Sequence, residues 1–192
     1  GSPGKRPYTG DELEGLFDCA DERVLRIRRA GAKGWIPAFR TATIMKVAYA
    51  WGLRRNEVRS LDLVDFATNP QARQFGGAGI VYVRHGKTMR GSPPKRRAVL
   101  TVPEFGWAVD CVRQWAEDVR PLYAPAGSTG MWPSERGQDA ITADSLSRAF
   151  TEVKREAGLD EDLDFHSLRR SYVTHLVEIG YDAFFIQQQV GH

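Results

Sequence analysis

The spacing of apolar residues along the chain predicts a mainly helical protein. In five long stretches, apolar residues recur every three to four positions, as on the buried face of an amphipathic helix. The stretch at 37–51 is apolar almost throughout, so we expect the other helices to bury it. A shorter helix is expected after Asp182, which can cap it. The five long stretches cover residues 10–27, 37–51, 104–120, 145–157 and 166–179.

Capping residues mark the boundaries of several of these helices. Thr9 and Glu12 have the spacing of a capping box, and Thr101 and Glu104 repeat it. Gly180 ends the last long stretch, because glycine readily adopts the positive φ that closes a helix. These signals predict helices that begin after Thr9 and Thr101 and a helix that stops at Gly180.

Two runs rich in β-branched residues predict a β-hairpin. They cover residues 80–83 and 98–102, and the segment between them contains glycine and proline. The tip of this hairpin is long and basic. The predicted fold class is therefore α+β, mainly α-helical with a small antiparallel β-sheet.

Length and composition fit a single globular domain. The chain has 192 residues, of which 42% are hydrophobic and 27% are charged. It has no apolar run of about 18 residues and no secretory signal, so we expect a cytoplasmic protein. Cys19 and Cys111 lack the spacing of metal ligands, and we expect no metal or cofactor. Gly1 and Ser2 resemble a tag-removal scar, so we treat residues 1–5 as a linker.

The distribution of charge favours a nucleic acid as the partner. The net charge is only +3, yet residues 23–55 contain nine lysines or arginines and no acid. Residues 84–97 add six more basic residues, again without an acid. Clustered positive charge of this kind matches a phosphate backbone. A coding bias would explain why arginine exceeds lysine, but it would not explain the acid-free runs.

Two segments carry the candidate chemistry. In the first, GLRRNE, Arg54 and Glu57 are three residues apart. In the second, His166 and Arg169 are three residues apart, so on a helix they share one face and can hold a small anion. The second segment continues as SYVTHL and closes with IQQQVGH. Together they resemble the two sequence boxes of the tyrosine recombinases, the phage integrase family, G-[LM]-R-x-x-E and H-x-L-R-[RH]-[ST]-[FY]-x-T-H-L…G…I-Q…[LV]-G-H.

The resemblance implies a catalytic site assembled from residues far apart in sequence. Arg54 and Arg169 would hold two non-bridging oxygens of a phosphodiester, which suits planar, permanently charged guanidinium groups. His166 and His192 would exchange protons with the nucleophile or bind a phosphate oxygen. Lys87, in the hairpin tip, would protonate the leaving 5′ oxygen as a general acid.

Other residues have supporting roles or alternative interpretations. Lys95 competes with Lys87 as the general acid, and both could instead be solvated loop cations. Glu57 is placed to orient Arg54, although the two could also form a surface salt bridge. The residues expected to contact DNA are Arg55, Arg90, Lys95 and Arg170.

By the same resemblance, the chain is the catalytic domain of a site-specific DNA recombinase or integrase, with the tyrosine-recombinase catalytic-domain fold. In this family a tyrosine attacks the DNA and forms a 3′-phosphotyrosyl intermediate, which a 5′ hydroxyl of a partner strand then resolves. The phosphotyrosyl ester conserves the bond energy, so no metal or nucleotide is implied. The implied partners are double-stranded DNA and further recombinase protomers in a tetrameric synapse.

One departure from the family pattern concerns the nucleophile. The family's tyrosine follows the closing Gly-His by about nine residues, whereas all six tyrosines of this chain precede His192. Residues 6–192 are therefore expected to form one catalytic domain that is truncated before its nucleophile and inactive by itself. The family's N-terminal DNA-clamping domain is also expected to be absent.

Two alternative functions remain open. A type IB topoisomerase uses a similar set of arginine, lysine and histidine residues, although the GLRRNE and VGH boxes favour the recombinase. A non-catalytic helix-turn-helix module also suits an arginine-rich pair of helices. Reading a DNA groove, however, does not require Lys87, Glu57 and two widely separated arginines.

Overall fold

A computed structural model describes residues 5–84, 96–137 and 139–191. Over these residues, the chain forms seven α-helices and a three-stranded antiparallel sheet, so the predicted fold class is confirmed. No helix in the described ranges is both long and apolar enough to cross a lipid bilayer. The helices are α1 (Gly10–Arg29), α2 (Trp35–Ala50), α3 (Arg55–Arg59), α4 (Trp107–Gln114), α5 (Ala143–Glu156), α6 (His166–Ile179) and α7 (Ala183–Val190). The strands are β1 (Phe66–Ala67), β2 (Ile80–Arg84) and β3 (Arg96–Leu100).

Helix α2 is the centre of the helical core, as its apolar sequence predicts. Ile44, Met45 and Val47 are completely buried, and α1, α4, α5 and α6 pack around the helix. Burying each such side chain contributes about 1.5–3 kcal/mol to folding. A helix without a polar face must be packed against other elements on all sides. Because this packing holds α2 in place, it also fixes the point at which the chain turns from α2 into α3.

The first predicted capping box is confirmed, and the second is wrong. Thr9 Oγ1 accepts a hydrogen bond from the Glu12 amide at 3.1 Å, and the Glu12 carboxylate accepts one from the Thr9 amide at 2.9 Å. Thr101 instead accepts from Trp51 Nε1 at 3.0 Å and donates to the Ala78 carbonyl at 2.6 Å. Its hydroxyl satisfies two buried polar groups, and α4 begins only after an intervening 3-10 turn.

Strands β2 and β3 form the predicted hairpin. They pair antiparallel from Ile80 opposite Leu100 to Arg84 opposite Arg96. Strand β1, which the sequence pattern did not predict, pairs with the other side of β2. Two like charges face each other where Arg84 meets Arg96, and Asp62 offsets this by accepting a hydrogen bond from Arg84 at 2.6 Å.

The turn between α2 and α3 requires glycine. Gly52 has a φ of 67°, a conformation that residues with a Cβ rarely adopt. A Cβ at this position would also overlap the aromatic ring of Tyr172 on α6. The tight approach places Arg54, the N-cap residue of α3, two residues after the contact with α6.

Candidate phosphate-binding site

Glu57 lies at the centre of a cluster of three arginines. Its carboxylate accepts hydrogen bonds from Arg97 Nη1 at 2.6 Å and from Arg97 Nη2 at 3.1 Å. It also accepts one from the Arg54 amide at 2.9 Å and lies 3.4 Å from Arg54 Nη1. Arg169 Nη1 lies 3.7 Å from the same carboxylate. Three positive charges therefore surround one negative charge, and the net positive charge favours binding of an anion.

Glu57 is buried and ionised, which argues against a surface salt bridge. Only 9% of its side chain is exposed. Burial opposes ionisation, but hydrogen bonds from Arg97 and from the Arg54 amide, with attraction to Arg97 and Arg169, outweigh it and lower the pKa of Glu57. The carboxylate is therefore charged at neutral pH and can hold the guanidinium groups in place.

Arg169 is held between two turns of the chain, with 5% of its side chain exposed. Its Nη1 donates to the Gly52 carbonyl at 2.9 Å, and its Nη2 donates to the Val190 carbonyl at 2.9 Å. Burial, followed by the nearby charge of Arg54, lowers the pKa of Arg169 to about 10. The guanidinium thus stays charged at neutral pH, and its position depends on the turn after α2 and on the end of α7.

Arg97 belongs to the same cluster, although the sequence analysis gave it no role. It is buried, and its Nε donates to the Gln189 carbonyl at 3.0 Å. Exposed and buried positions alternate along β3, and Arg97 shares the buried face with Val99. This alternation is a signal that could have identified Arg97, because a buried arginine needs an acidic partner.

The cluster adjoins a cleft of about 570 Å³ between α3, α5 and the start of α6. Arg54 lines the cleft with 42% of its side chain exposed, and His166 lines it as well. Arg55 lies on the α5 side, where its Nη1 donates to Ser147 Oγ at 2.8 Å. The predicted residues that the structure places in this cleft or in the adjoining cluster are Arg54, Arg55, Glu57, His166 and Arg169.

The remaining predicted residues do not all fall within the described part of the chain. Arg170 follows Arg169 on α6, and its Nη1 lies 3.5 Å from Asp164 Oδ1 at the edge of the cleft. This pair leaves Arg170 close to His166. The predicted residues that lie outside the described ranges are Lys87, Arg90, Lys95 and His192. Their roles stay predictions.

His166 stands at the start of α6, where its pKa lies below the ordinary histidine value. Partial burial in the cleft is the main cause, followed by the positive charges of Arg170 and Arg169, while Asp164 acts in the opposite direction. The imidazole is therefore neutral at pH 7 and able to accept a proton. Folding favours the neutral form of His166. Its contribution to the free energy of unfolding is therefore fully present above the unfolded pKa of about 6.5 and is lost as pH falls through the folded pKa.

Replacing Arg170 with glutamine is expected to raise the pKa of His166, because the change removes the strongest opposing charge. Asp164→Asn should lower the same pKa, because it removes a favourable negative charge. Titration of the His166 ring signal by NMR measures both effects. Arg113→Gln, on the exposed surface of α4, is the control and should leave the titration unchanged. Equal shifts in the Arg170 and Arg113 variants would contradict a local effect of Arg170.

Sequence comparison identifies the relatives of this chain. The model of the phage integrase family matches residues 9–192. Tyrosine recombinase XerD of Corynebacterium glutamicum is 27% identical over 153 residues, covering 80% of this chain and 44% of the relative. Tyrosine recombinase XerC of Alcanivorax borkumensis is 28% identical over 190 residues, covering 98% of this chain and 55% of the relative. The chain thus spans about half the length of the curated relatives it matches.

A solved structure shows the same arrangement of elements. The XerH site-specific recombinase, bound to its difH substrate in a pre-cleavage complex, matches this fold with a TM-score of 0.69 at 22% identity. The match covers 98% of this chain and 48% of the XerH chain, and at this level of identity it concerns the fold alone. The family model, in contrast, accounts for nearly the whole sequence. The chain therefore belongs to the phage integrase family, the tyrosine recombinases.

Proposed function

We propose that this chain provides the phosphate-activating site of a site-specific DNA recombinase, which cleaves and rejoins strands through a 3′-phosphotyrosyl intermediate. The observation that carries the proposal is the placement of Arg54 and Arg169 beside one carboxylate, next to the cleft lined by His166. Attack on a phosphodiester builds negative charge on its two non-bridging oxygens. Guanidinium groups that are already in position stabilise this charge without reorganising.

Each residue of the site has a distinct task in this proposal. Arg54 and Arg169 bind the non-bridging oxygens, and both keep their charge in the transition state. His166, neutral at pH 7, accepts a proton from the attacking hydroxyl. A lysine of the hairpin tip, Lys87 or its competitor Lys95, protonates the leaving 5′ oxygen. The remaining member of the site, which binds a phosphate oxygen, is His192.

Double-stranded DNA is the proposed substrate. The similar XerH recombinase is bound to its difH substrate. Arg55 lines the cleft, and Arg170 lies beside Asp164, which lines it too. Arg90 and Lys95 belong to the sequence between β2 and β3, and all four are proposed to contact phosphates along the duplex. Further protomers of the same protein are proposed to assemble on the DNA, because a cleaved strand must be joined to another. A DNA substrate also favours the cytoplasmic location predicted from the sequence.

Covalent attachment to DNA tests the proposed reaction. The chain would be extended to include the tyrosine expected about nine residues after His192 and mixed with nicked duplexes of randomised sequence. Adducts that survive denaturing electrophoresis would be recovered and their DNA sequenced. A recombinase yields 3′ adducts enriched in one sequence, whereas a type IB topoisomerase yields adducts with little sequence preference. A non-catalytic DNA-binding module yields none, and that result would overturn the proposal.

Binding of duplex DNA by residues 1–192 is expected to be weak and to weaken steeply as salt rises. The reason is that basic side chains displace counterions from the phosphates, so the logarithm of the binding constant falls by about 0.9 per contact for each tenfold rise in salt. Fluorescence anisotropy across a salt series measures the slope. Arg55→Glu should reduce both affinity and slope, whereas Arg113→Glu, away from the cleft, should change neither. If the affinity for DNA did not change with salt concentration, the basic clusters would not form a DNA-binding surface.

A further inference from the structure

Two buried arginines meet the C-terminal end of α7. The last carbonyls of a helix have no partner within the helix and carry a partial negative charge. Arg97 Nε donates to the Gln189 carbonyl at 3.0 Å, and Arg169 Nη2 donates to the next carbonyl, that of Val190, at 2.9 Å. Both arginines therefore stabilise this helix end and fix its position.

The side chain of Gln189 joins the same helix end to the sheet. Its Oε1 accepts from the Leu100 amide at 2.9 Å, and its Nε2 donates to the Leu100 carbonyl at 2.7 Å. The amide thus pairs with β3 as a neighbouring strand would, at the edge that β2 does not cover. Nε2 also donates to the Tyr172 hydroxyl on α6 at 2.8 Å. Helix α7, strand β3 and helix α6 are held together at one point.

Arg97 connects this point to the phosphate-binding residues. Its Nη1 and Nη2 form a two-pronged contact with Glu57, the carboxylate beside Arg54 and Arg169. Arg97 is buried, does not line the cleft, and contacts Glu57, the carboxylate that Arg54 and Arg169 also approach. One planar guanidinium therefore bridges α3 and the end of α7. A lysine cannot replace it, because its three donors sit on a single nitrogen and cannot reproduce the planar fork.

We propose that Arg97 is a positioning residue with two contacts. Through Glu57 it holds the phosphate-binding arginines in place, and through Gln189 it holds the end of α7 in place. The catalytic part of this inference rests on the proposed function. Because Val190 is followed directly by Gly191, the same contacts fix the backbone at the end of the described part of the chain. Loss of Arg97 should thus disturb the alignment of catalytic groups more than the affinity for DNA.

Hydrogen exchange tests the structural half of the proposal without requiring catalysis. Arg97→Lys keeps the charge but removes the two-pronged contact and the bond to Gln189, so amides of α7 should exchange about tenfold faster or more. Arg120→Lys is the matched control, because Arg120 is similarly buried, at 7% exposure against 9% for Arg97, and donates to carbonyls outside the site. If the α7 amides exchange at the same rate in the two variants, Arg97 does not hold this helix end.

The rate of covalent attachment tests the catalytic half, in the chain extended to its tyrosine. At saturating DNA, Arg97→Lys should slow attachment by about 10- to 100-fold, the usual range for a residue that orients the reacting groups. The dissociation constant for DNA should change by less than about threefold, because the cleft and its exposed arginines are retained. Arg120→Lys should attach at the wild-type rate. A purely structural role would instead weaken binding and rate together.

A double-mutant cycle shows whether Arg97 acts through Glu57. If it does, Arg97→Lys combined with Glu57→Gln should be no slower than the worse single variant, whereas independent effects would multiply. The proposal would be overturned if Arg97→Lys attached at the wild-type rate, or if the rate losses of the two single variants multiplied in the double variant. Neither result would contradict the proposed function. If the wild-type extended chain attaches to no DNA, the proposed function fails, and hydrogen exchange still decides the structural role of Arg97.

Discussion

Replacing Arg54 with alanine is expected to reduce the rate of covalent attachment by about 10²–10³-fold, the usual loss when one preorganised donor to a developing oxyanion is removed. The free energy of unfolding should change by less than about 1 kcal/mol, because a partly exposed ion pair contributes little to stability. Arg54 has 42% of its side chain exposed in the cleft, and Glu57 keeps its two bonds to Arg97 in the variant. Single-turnover attachment and urea denaturation measure the two quantities.

Arg169→Ala is the informative comparison, because it should impair both attachment and stability. Arg169 is buried and donates to the carbonyls of Gly52 and Val190, which would lose their partner. Breaking a buried charged contact costs about 3–5 kcal/mol. If Arg54→Ala also destabilised the fold by that amount, its effect on attachment would be structural. If Arg54→Ala attached at the wild-type rate, the phosphate-binding role of Arg54 would be wrong.

Much of the fold follows from local sequence signals. The capping box at Thr9, the apolar stretch that becomes α2 and the hairpin strands are confirmed because each depends on residues close together in the chain. Asp182 caps α7 as predicted, through a hydrogen bond from the Phe185 amide at 2.8 Å. Gly180 ends α6 in the left-handed conformation. Such signals need no knowledge of the tertiary structure.

The features that sequence analysis missed depend on contacts between distant segments. Thr101 has the spacing of a cap, but its hydroxyl bonds Trp51 and Ala78 in the core, and neither partner can be inferred from the local pattern. Arg97 is similar, because its partners Glu57 and Gln189 are far away in sequence. The two sequence boxes pointed to Arg54, His166 and Arg169, which the structure brings to the cleft or to the adjoining cluster, but not to the contacts behind them.

The largest expected effect concerns the nucleophile: residues 1–192 alone should form no covalent DNA adduct. All six tyrosines lie in the described part of the chain, and none of them lines the cleft beside Arg54 and His166. Tyr181 is more exposed, but its hydroxyl donates to Glu104 at 2.6 Å, and its pKa is raised to about 12 by partial burial and by that carboxylate. The tyrosines that are buried are Tyr8, Tyr49 and Tyr172.

Extending the chain to the tyrosine expected about nine residues after His192 should restore attachment. An oxygen nucleophile held in line with the phosphorus contributes about 7–11 kcal/mol through proximity, which corresponds to about 10⁵-fold or more in rate. Arg54 and Arg169 cannot supply this contribution, because they stabilise charge without placing a nucleophile. The matched control is the same extension with phenylalanine in place of the added tyrosine, which should remain inactive. An adduct formed by residues 1–192, or by the phenylalanine form, would mean that an internal tyrosine attacks and that Gly191-His192 is not the closing box of the family.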